Sequence, residues 1–497
     1  MTNEIDSLCL YRHIDQQLAS VWTSLTSREF LSSISQLGAR EGAALRRSIL
    51  RICGWLEDSV SSPLGSIFDR SVRSPLNAML EDIAWAYGVE ASFAGTTGTS
   101  GLNAPAVMTL AGEGQKLGVA RDCHASIIGG LQLSGAVPVY LPTPFDVKRG
   151  INLPPSKREV EVFLDAHPDL SGLVLTVPTY NGLMGNIRAI VNICHRRGVR
   201  VMADSAHGPH YHFLTGLGYP TPAEDVGADM VMQSTHKVMS ALNQGSLLHF
   251  NNRDLIPRYE EYQHMGFQST SFSFLILLSI EHAVQQMVMH GPKLWRAALK
   301  RAHQIRETVS RYPGVRVLDR DIIDDERVVG LDPARVTINV RDTGLTGYQI
   351  AGRLRARDII VEMATLDNVL LLVSPGVSEQ MMDETLSAFA SLMKEHRTSG
   401  TSVNLSDGSA PPPMPSQVLT PRQAVMTARE RVPIAEAVGR VSAETIGCYP
   451  PGRAIFVAGE RITAQGLKYL RRNVEAGGHL KRVQDDHFQT ISVVIGH

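Results

Sequence analysis

Cysteine is scarce and scattered along this chain. The five, Cys9, Cys53, Cys123, Cys194 and Cys448, are odd in number and show no CxxC spacing, which argues against a disulfide framework and against a thiolate zinc site. An excess of charge of either sign is also missing: 48 Lys+Arg stand against 49 Asp+Glu, so no global field favours nucleic acid or an anionic membrane surface. No window of about 18 apolar residues occurs. The opening "MTNEIDSLCLYRHIDQQLAS" lacks a basic n-region, an apolar h-region and a small-residue cleavage site. A cytoplasmic protein that binds neither nucleic acid nor membrane is the expectation. No internal repeat is visible.

What is present is an ordinary globular composition, 43% apolar and 20% charged, over 497 residues, more than one hydrophobic core usually organises. Residues 5 to 60 carry apolar positions at spacings of three and four and predict a helical arm or cap. Beyond it, short β-rich runs ("VPVYL", "GLVLTVP", "VRVMAD", "ADMVMQS", "SLLHF") alternate with helical stretches, the pattern of an α/β domain with a mostly parallel sheet. Residues 272 to 311 predict two long helices broken at "HGP". A small α+β unit follows over 334 to 395. "RTSGTSVNLSDGSAPPPMPS" then predicts an extended linker, and a last α+β segment with a helix over "PRQAVMTARE" closes the chain. The expected division is a helical arm over 1–60, a large domain over 61–311, a small α+β domain over 312–396, a linker over 397–416 and a C-terminal α+β domain over 417–497.

A parallel sheet binds ligands beyond the carboxyl ends of its strands. Asp204 ends the apolar run "VRVMA" and begins "DSAHGPH", which turns away from the sheet. Thirty-three residues on, "ADMVMQ" ends in "STHK", which puts Ser234, His236 and Lys237 at a second strand end, an interval that fits one βαβ unit. An Asp and a Lys at neighbouring strand ends suit a pyridoxal phosphate enzyme. Lys237 would carry the cofactor aldehyde as a Schiff base. Asp204 would pair with the pyridine nitrogen; at about 4 Å and an effective dielectric of ~20 that attraction is roughly 4 kcal/mol, or about 3 pKa units in favour of the pyridinium. Ser234 and His236 could donate to the phosphate, helped by the upstream "GTTGTSGLN", whose hydroxyls and glycines suit an anion site opening a helix. His124, between a short apolar run and a helical stretch, could stack on the ring.

Ordered blocks along residues 75 to 497 resemble the Orn/Lys/Arg decarboxylase family of fold type I pyridoxal phosphate enzymes. They are "TGTSGLN", "RDCHASI…GAVPVYL", "PTYNG", "DSAHGPH", "QSTHK", "STSFS", "LTGYQIAGRLRARDIIVEMAT" and "VPIAEAVGRVSAETIGCYPPG…GERIT". The resemblance implies Lys237 as the Schiff base, Asp204 on the ring nitrogen, His124 on one ring face and the Ala206 methyl on the other. It implies that Thr99, Ser100, Ser234 and His236 hold the phosphate, that His207 sits near the cofactor O3′ and the substrate carboxylate, and that Thr270 reaches a cofactor phosphate across a homodimer interface. The sequence departs from the family pattern with Thr97 for Asn, Ser205 for Glu, Phe272 for Pro and Arg453 for an aliphatic residue after "YPPG", and it has no recognisable HTPGHK-type segment.

The trio His207, His210 and His212 has a spacing that a metal site could use with an outside carboxylate. The competing expectation is that only His207 borders the cofactor, that no metal binds, and that His210 and His212 are polar loop residues. Glu362, in "IIVEMA", is either a structural carboxylate or the partner of a cationic substrate head. The expected activity is decarboxylation of a basic L-amino acid, arginine ahead of lysine and ornithine. Alternatives are another outcome on the same cofactor, such as transamination or oxidative deamination, and a non-catalytic regulatory homologue.

Overall fold

Strands whose both faces are covered need apolar residues throughout, and the central runs here have them. The computed structural model describes residues 75–267, 273–399, 409–449, 452–481 and 488–497. The helical arm expected over 1–60, Thr270 and Phe272 lie outside the described residues.

The main sheet comprises β1 (Ala91–Gly95), β2 (Lys116–Ala120), β3 (Val137–Leu141), β4 (Leu170–Thr176), β5 (Arg200–Asp204), β6 (Met230–Gln233) and β7 (Ser246–Phe250), in the spatial order β1-β7-β6-β5-β4-β2-β3. β7 runs antiparallel to both its neighbours, and the other pairings are parallel. Alternate residues face opposite layers. Leu173, Leu175, Val201, Ala203 and Val231 join one core, and Val174, Met202, Met230 and Met232 join the other. Helices α1 (Gly98–Leu110) and α2 (Ala125–Ser134) cover the second of these faces.

The crossover from β5 to β6 differs from the expected βαβ unit. The two strands are parallel neighbours, but the chain between them forms only 3₁₀ turns at Tyr211–Leu217 and Glu224–Val226. Helices elsewhere already cover this side, so a compact connection suffices.

The predicted break at "HGP" is also absent. Helix α3 runs unbroken over Phe274–Val309, 36 residues, with Pro292 inside it. An interior proline costs about 3 kcal/mol. The buried stripe Leu277, Ile280, Val284, Met287, Gly291, Trp295, Ala298, Ala302, Ile305 and Val309 continues across it at helical spacing, and ten packed positions outweigh one lost hydrogen bond.

A four-stranded antiparallel sheet follows, in the order Arg316–Val317, Arg335–Asn339, Asn368–Leu372, Met363–Ala364. It packs on helices Gly347–Arg355 and Glu379–Ser399. That second helix continues into the stretch expected as linker, and 409–416 form neither helix nor strand. In the last segment the expected helix over "PRQAVMTARE" stops at Met426, and Arg429–Pro433 instead pairs with Thr490–Val494. Ile446–Tyr449 lies between Ala454–Phe456 and His479–Lys481. Among the described residues no helix is long and apolar enough to cross a membrane.

Candidate active site

A cavity of about 620 Å³ opens beyond the carboxyl ends of β4, β5 and β6, within the range of small-molecule sites. It brings together Thr99, Ser100, His124, Asp204, Ala206, His207, Ser234, His236 and Lys237, every expected site residue that is described.

Register places the central pair. Asp204 pairs with Met232 across β5 and β6, so the carboxylate and the one-turn helix Thr235–Val238 that carries Lys237 leave adjacent strands at the same level. Asp204 is buried, and its Oδ1 accepts from the Ala206 backbone N–H at 3.2 Å, which orients it. Lys237 Nζ lies 3.1 Å from His207 Nε2. His207 Nδ1 in turn accepts from Arg335 Nη2 at 2.6 Å. Burial, and then the positive charges of Lys237 and Arg335, hold His207 well below the ordinary histidine range.

His124 is the N-cap of α2. Its Nδ1 accepts from the Ser126 N–H at 3.2 Å and lies 2.7 Å from Ser126 Oγ, which accepts from Asn103 Nδ2 at 2.8 Å. Capping therefore fixes the imidazole at the cavity wall.

At the other end, α1 begins at Gly98 with φ +71, and Gly98, Thr99 and Ser100 line the cavity, the Gly98 N–H donating to the Gln244 carbonyl at 2.8 Å. Thr99 Oγ1 and Ser234 Oγ are 3.0 Å apart. His236 Nδ1 donates to the Gly245 carbonyl at 2.7 Å, and burial lowers its pKa. With Nδ1–H committed there, His236 can donate to a phosphate only as the imidazolium.

These residues fit pyridoxal phosphate. A helix N-terminus with three hydroxyls suits the phosphate, an oriented buried carboxylate suits a pyridinium, and a lysine opens into the space between them. Thr176 Oγ1, opposite Asp204 in register, is buried at the cavity and has no hydrogen-bond partner among the described residues, so it waits for a polar group.

The rest of the histidine trio parts company with His207. His210 is fully buried, stacked on Trp295 with centroids 4.3 Å apart and an interplanar angle of 17°, and 3.8 Å from Asp332 Oδ2. It is a core residue, contrary to the polar loop position expected, because the 3₁₀ crossover folds it inward under α3. His212 Nδ1 is 2.6 Å from Asp225 Oδ1 and stands partly exposed.

To Glu362, a candidate already in the sequence, the structure adds Tyr180, Arg453 and Arg335. Tyr180 OH donates to Glu362 Oε1 at 3.0 Å, and both line the cavity. Arg453 lines it too, donating from Nη1 to Asn152 Oδ1 at 2.7 Å. Burial lowers the Arg453 pKa and raises that of Asp122, while each group's charge works against the other's shift. Arg335, fully buried behind His207, was missed as well. Its only trace in the sequence is a charged residue opening a buried strand, "RVTINV". The described cysteines are all buried, with burial pushing the thiols of Cys194 and Cys448 up to about 12, so none supplies a thiolate to this cavity.

Residues 61–381 match the family described as Orn/Lys/Arg decarboxylase, major domain, and residues 409–480 match its C-terminal domain. The chain is 34% identical over 420 residues to an arginine decarboxylase of Halalkalibacterium halodurans, covering 83% of this chain and 84% of that one. It is 33% identical over 423 residues to an arginine decarboxylase of Bacillus subtilis, with the same coverage of 83% and 84%. The fold is shared with a solved lysine decarboxylase of Francisella novicida at a TM-score of 0.74 and 21% identity, over 88% of this chain and 74% of that one.

Proposed function

The chain belongs to the Orn/Lys/Arg decarboxylase family, and on that premise we propose that its substrate is L-arginine, which loses its α-carboxylate as CO₂ and takes one proton at Cα to leave the amine. It is a pyridoxal-phosphate-dependent decarboxylase of a basic amino acid. When bound, the cofactor supplies an electron sink for the pair released by the departing carboxylate.

The remaining work falls to the chain's own side chains. Lys237 anchors the cofactor and returns a proton to Cα, with His207 Nε2 beside it at 3.1 Å to share that transfer. Asp204, buried and oriented by the Ala206 N–H, would pair with the ring nitrogen and favour its protonated form. His124 and Ala206 would hold the ring between them, and Thr99, Ser100 and Ser234 would hold the phosphate, with His236 joining them once the dianion draws a proton onto its Nε2. A homodimer, with Thr270 reaching a phosphate across the interface, belongs to the same reading.

The observation that carries the choice of a cationic substrate is Glu362, a carboxylate in the wall of the Lys237 cavity, oriented by Tyr180. A planar guanidinium can bridge a carboxylate and the adjacent phenol oxygen better than a point ammonium can. Arg453 does not oppose this cation, because Asp122 and Asn152 meet its charge on the wall itself. Identity of 30–34% to several arginine decarboxylases supports the same choice.

The test is CO₂ release from arginine, lysine and ornithine by the cofactor-loaded protein, with Lys237→Ala as control. Arginine should give the highest kcat/KM. A keto acid or peroxide in place of CO₂ would replace decarboxylation with another reaction at the same centre, and turnover favouring lysine would remove arginine.

A further inference from the structure

His207 is held from behind by a residue with no contact to the cavity. Arg335 opens the strand Arg335–Asn339 of the small sheet and is wholly buried. Its Nη2 is 2.6 Å from His207 Nδ1, and its Nη1 donates to the Tyr180 carbonyl at 2.7 Å. Its Nε lies 3.6 Å from Asp332 Oδ2. Tight packing maintains this position: a Cβ at Gly182, where φ is +86, would come within 2.8 Å of Arg335 Cδ.

A guanidinium has five N–H donors and no acceptor, and stays protonated in proteins. The nitrogen it faces must therefore be bare, which excludes both the Nδ1–H tautomer and the imidazolium. From this geometry we propose that Arg335 is a positioning residue that locks His207 as the Nε2–H tautomer, so that the cavity beside Lys237 always meets a hydrogen-bond donor at that point. Groups packed around the imidazole are consistent with the lock. Lys237 Nζ, 3.1 Å from Nε2, can accept the Nε2–H only as the free amine, whose lone pair then meets that proton; Tyr180 presents its ring with centroids 4.6 Å apart, and His124 and His210 are the other titratable neighbours.

The lock has a consequence for chemistry. A fixed donor can hold a carboxylate or phenolate oxygen at one place throughout the reaction, and cannot drift to a bare nitrogen that would repel it. Removing the guanidinium frees the ring to choose its tautomer and to take a second proton.

The inference rests on the reading of His207 as part of the reactive wall, but its first test does not depend on substrate. Nitrogen-15 NMR of histidine-labelled, cofactor-loaded wild type, with His207→Gln used to assign the resonance, should show Nδ1 unprotonated and Nε2 protonated, unchanged between pH 6 and 9. A protonated Nδ1 in wild type overturns the proposal without any Arg335 variant. In Arg335→Met the Nδ1 signal should titrate, and the acid limb of kcat should move up by about one pH unit. kcat should fall roughly tenfold or more with KM changed less than about threefold. Arg335→Lys, which keeps a cationic donor, should restore the wild-type acid limb. An Arg335→Met protein that binds cofactor but keeps the wild-type acid limb and Nδ1 signal would also overturn it. Failure to turn over arginine with the tautomer as stated would count against the substrate assignment alone.

Discussion

Arg121 and Glu460, 339 positions apart in the chain, form a bidentate ion pair with both side chains almost wholly buried, Nη2 to Oε2 at 2.8 Å. Arg121 Nη2 also donates to the Ile455 carbonyl, and Glu460 Oε2 accepts from the Val457 N–H at 2.8 Å. The pair ties the C-terminal segment to the end of β2, directly before Asp122 and His124. Glu460→Ala leaves a buried guanidinium unpaired and should cost about 3–5 kcal/mol, read as a shift in the denaturant midpoint of the cofactor-loaded protein. The double replacement Arg121→Met with Glu460→Leu should recover most of that loss. A single mutant within about 1 kcal/mol of wild type would show that the pair does not hold these segments together.

Asp204→Asn tests the ring-nitrogen partner. The amide keeps the size and the hydrogen bond from Ala206 but gives up roughly 3 pKa units of preference for the protonated ring. Cofactor should remain bound while kcat falls about 100-fold or more, followed as CO₂ release. A decrease of less than about tenfold would move the electron sink's support elsewhere.

Glu362→Gln should act on binding of the distal group. Its loss from the cavity wall should raise KM for arginine about tenfold to 100-fold, equivalent to roughly 1.4–2.7 kcal/mol, with a smaller effect on kcat. Tyr180→Phe, which removes only the orienting hydroxyl, should give a smaller rise. Equal losses in kcat and kcat/KM would place Glu362 at the reacting atoms instead.

Glu224 lies in a buried polar chain. Gln233 Nε2 donates to Glu224 Oε1 at 2.8 Å, and His249 Nε2 donates to Gln233 Oε1 at 3.2 Å. Burial, with Asp225 adding to it, pushes the Glu224 carboxyl from 4.5 up to about 7. The folded protein thus binds this proton more tightly than the unfolded chain. Its contribution to stability is present below about pH 4.5 and is lost as pH rises to about 7. Glu224→Gln should therefore be more stable than wild type at pH 8, by up to about 3 kcal/mol, with the gap closing towards pH 5. Unfolding curves across this range check it, and a difference that does not vary with pH would contradict it.

The elements that bring Asp204, Lys237 and His124 to one cavity were legible because they are local. An apolar run that stops at a polar residue and a turn marks a strand end, and Asp204, Lys237 and His124 each sit at or just beyond such a stop. The same local logic misjudged "HGP", where a proline's cost is visible in the sequence but the ten buried positions that offset it are not. It misjudged His210 for a related reason, since nothing in "HGPHYH" says that Trp295 and Asp332 will close over it.

By itself, then, the sequence determined the α/β alternation, the strand-end carboxylate and lysine, and the hydroxyl-rich turn that opens α1, because each depends on the backbone preferences and polarity of a few consecutive residues. Only the tertiary structure decided which side chain stands behind His207, which phenol orients Glu362, and how Arg453 shares the wall with Asp122. Those partners come from segments more than a hundred residues away, and their hydrogen bonds exist only after burial has excluded water from between them.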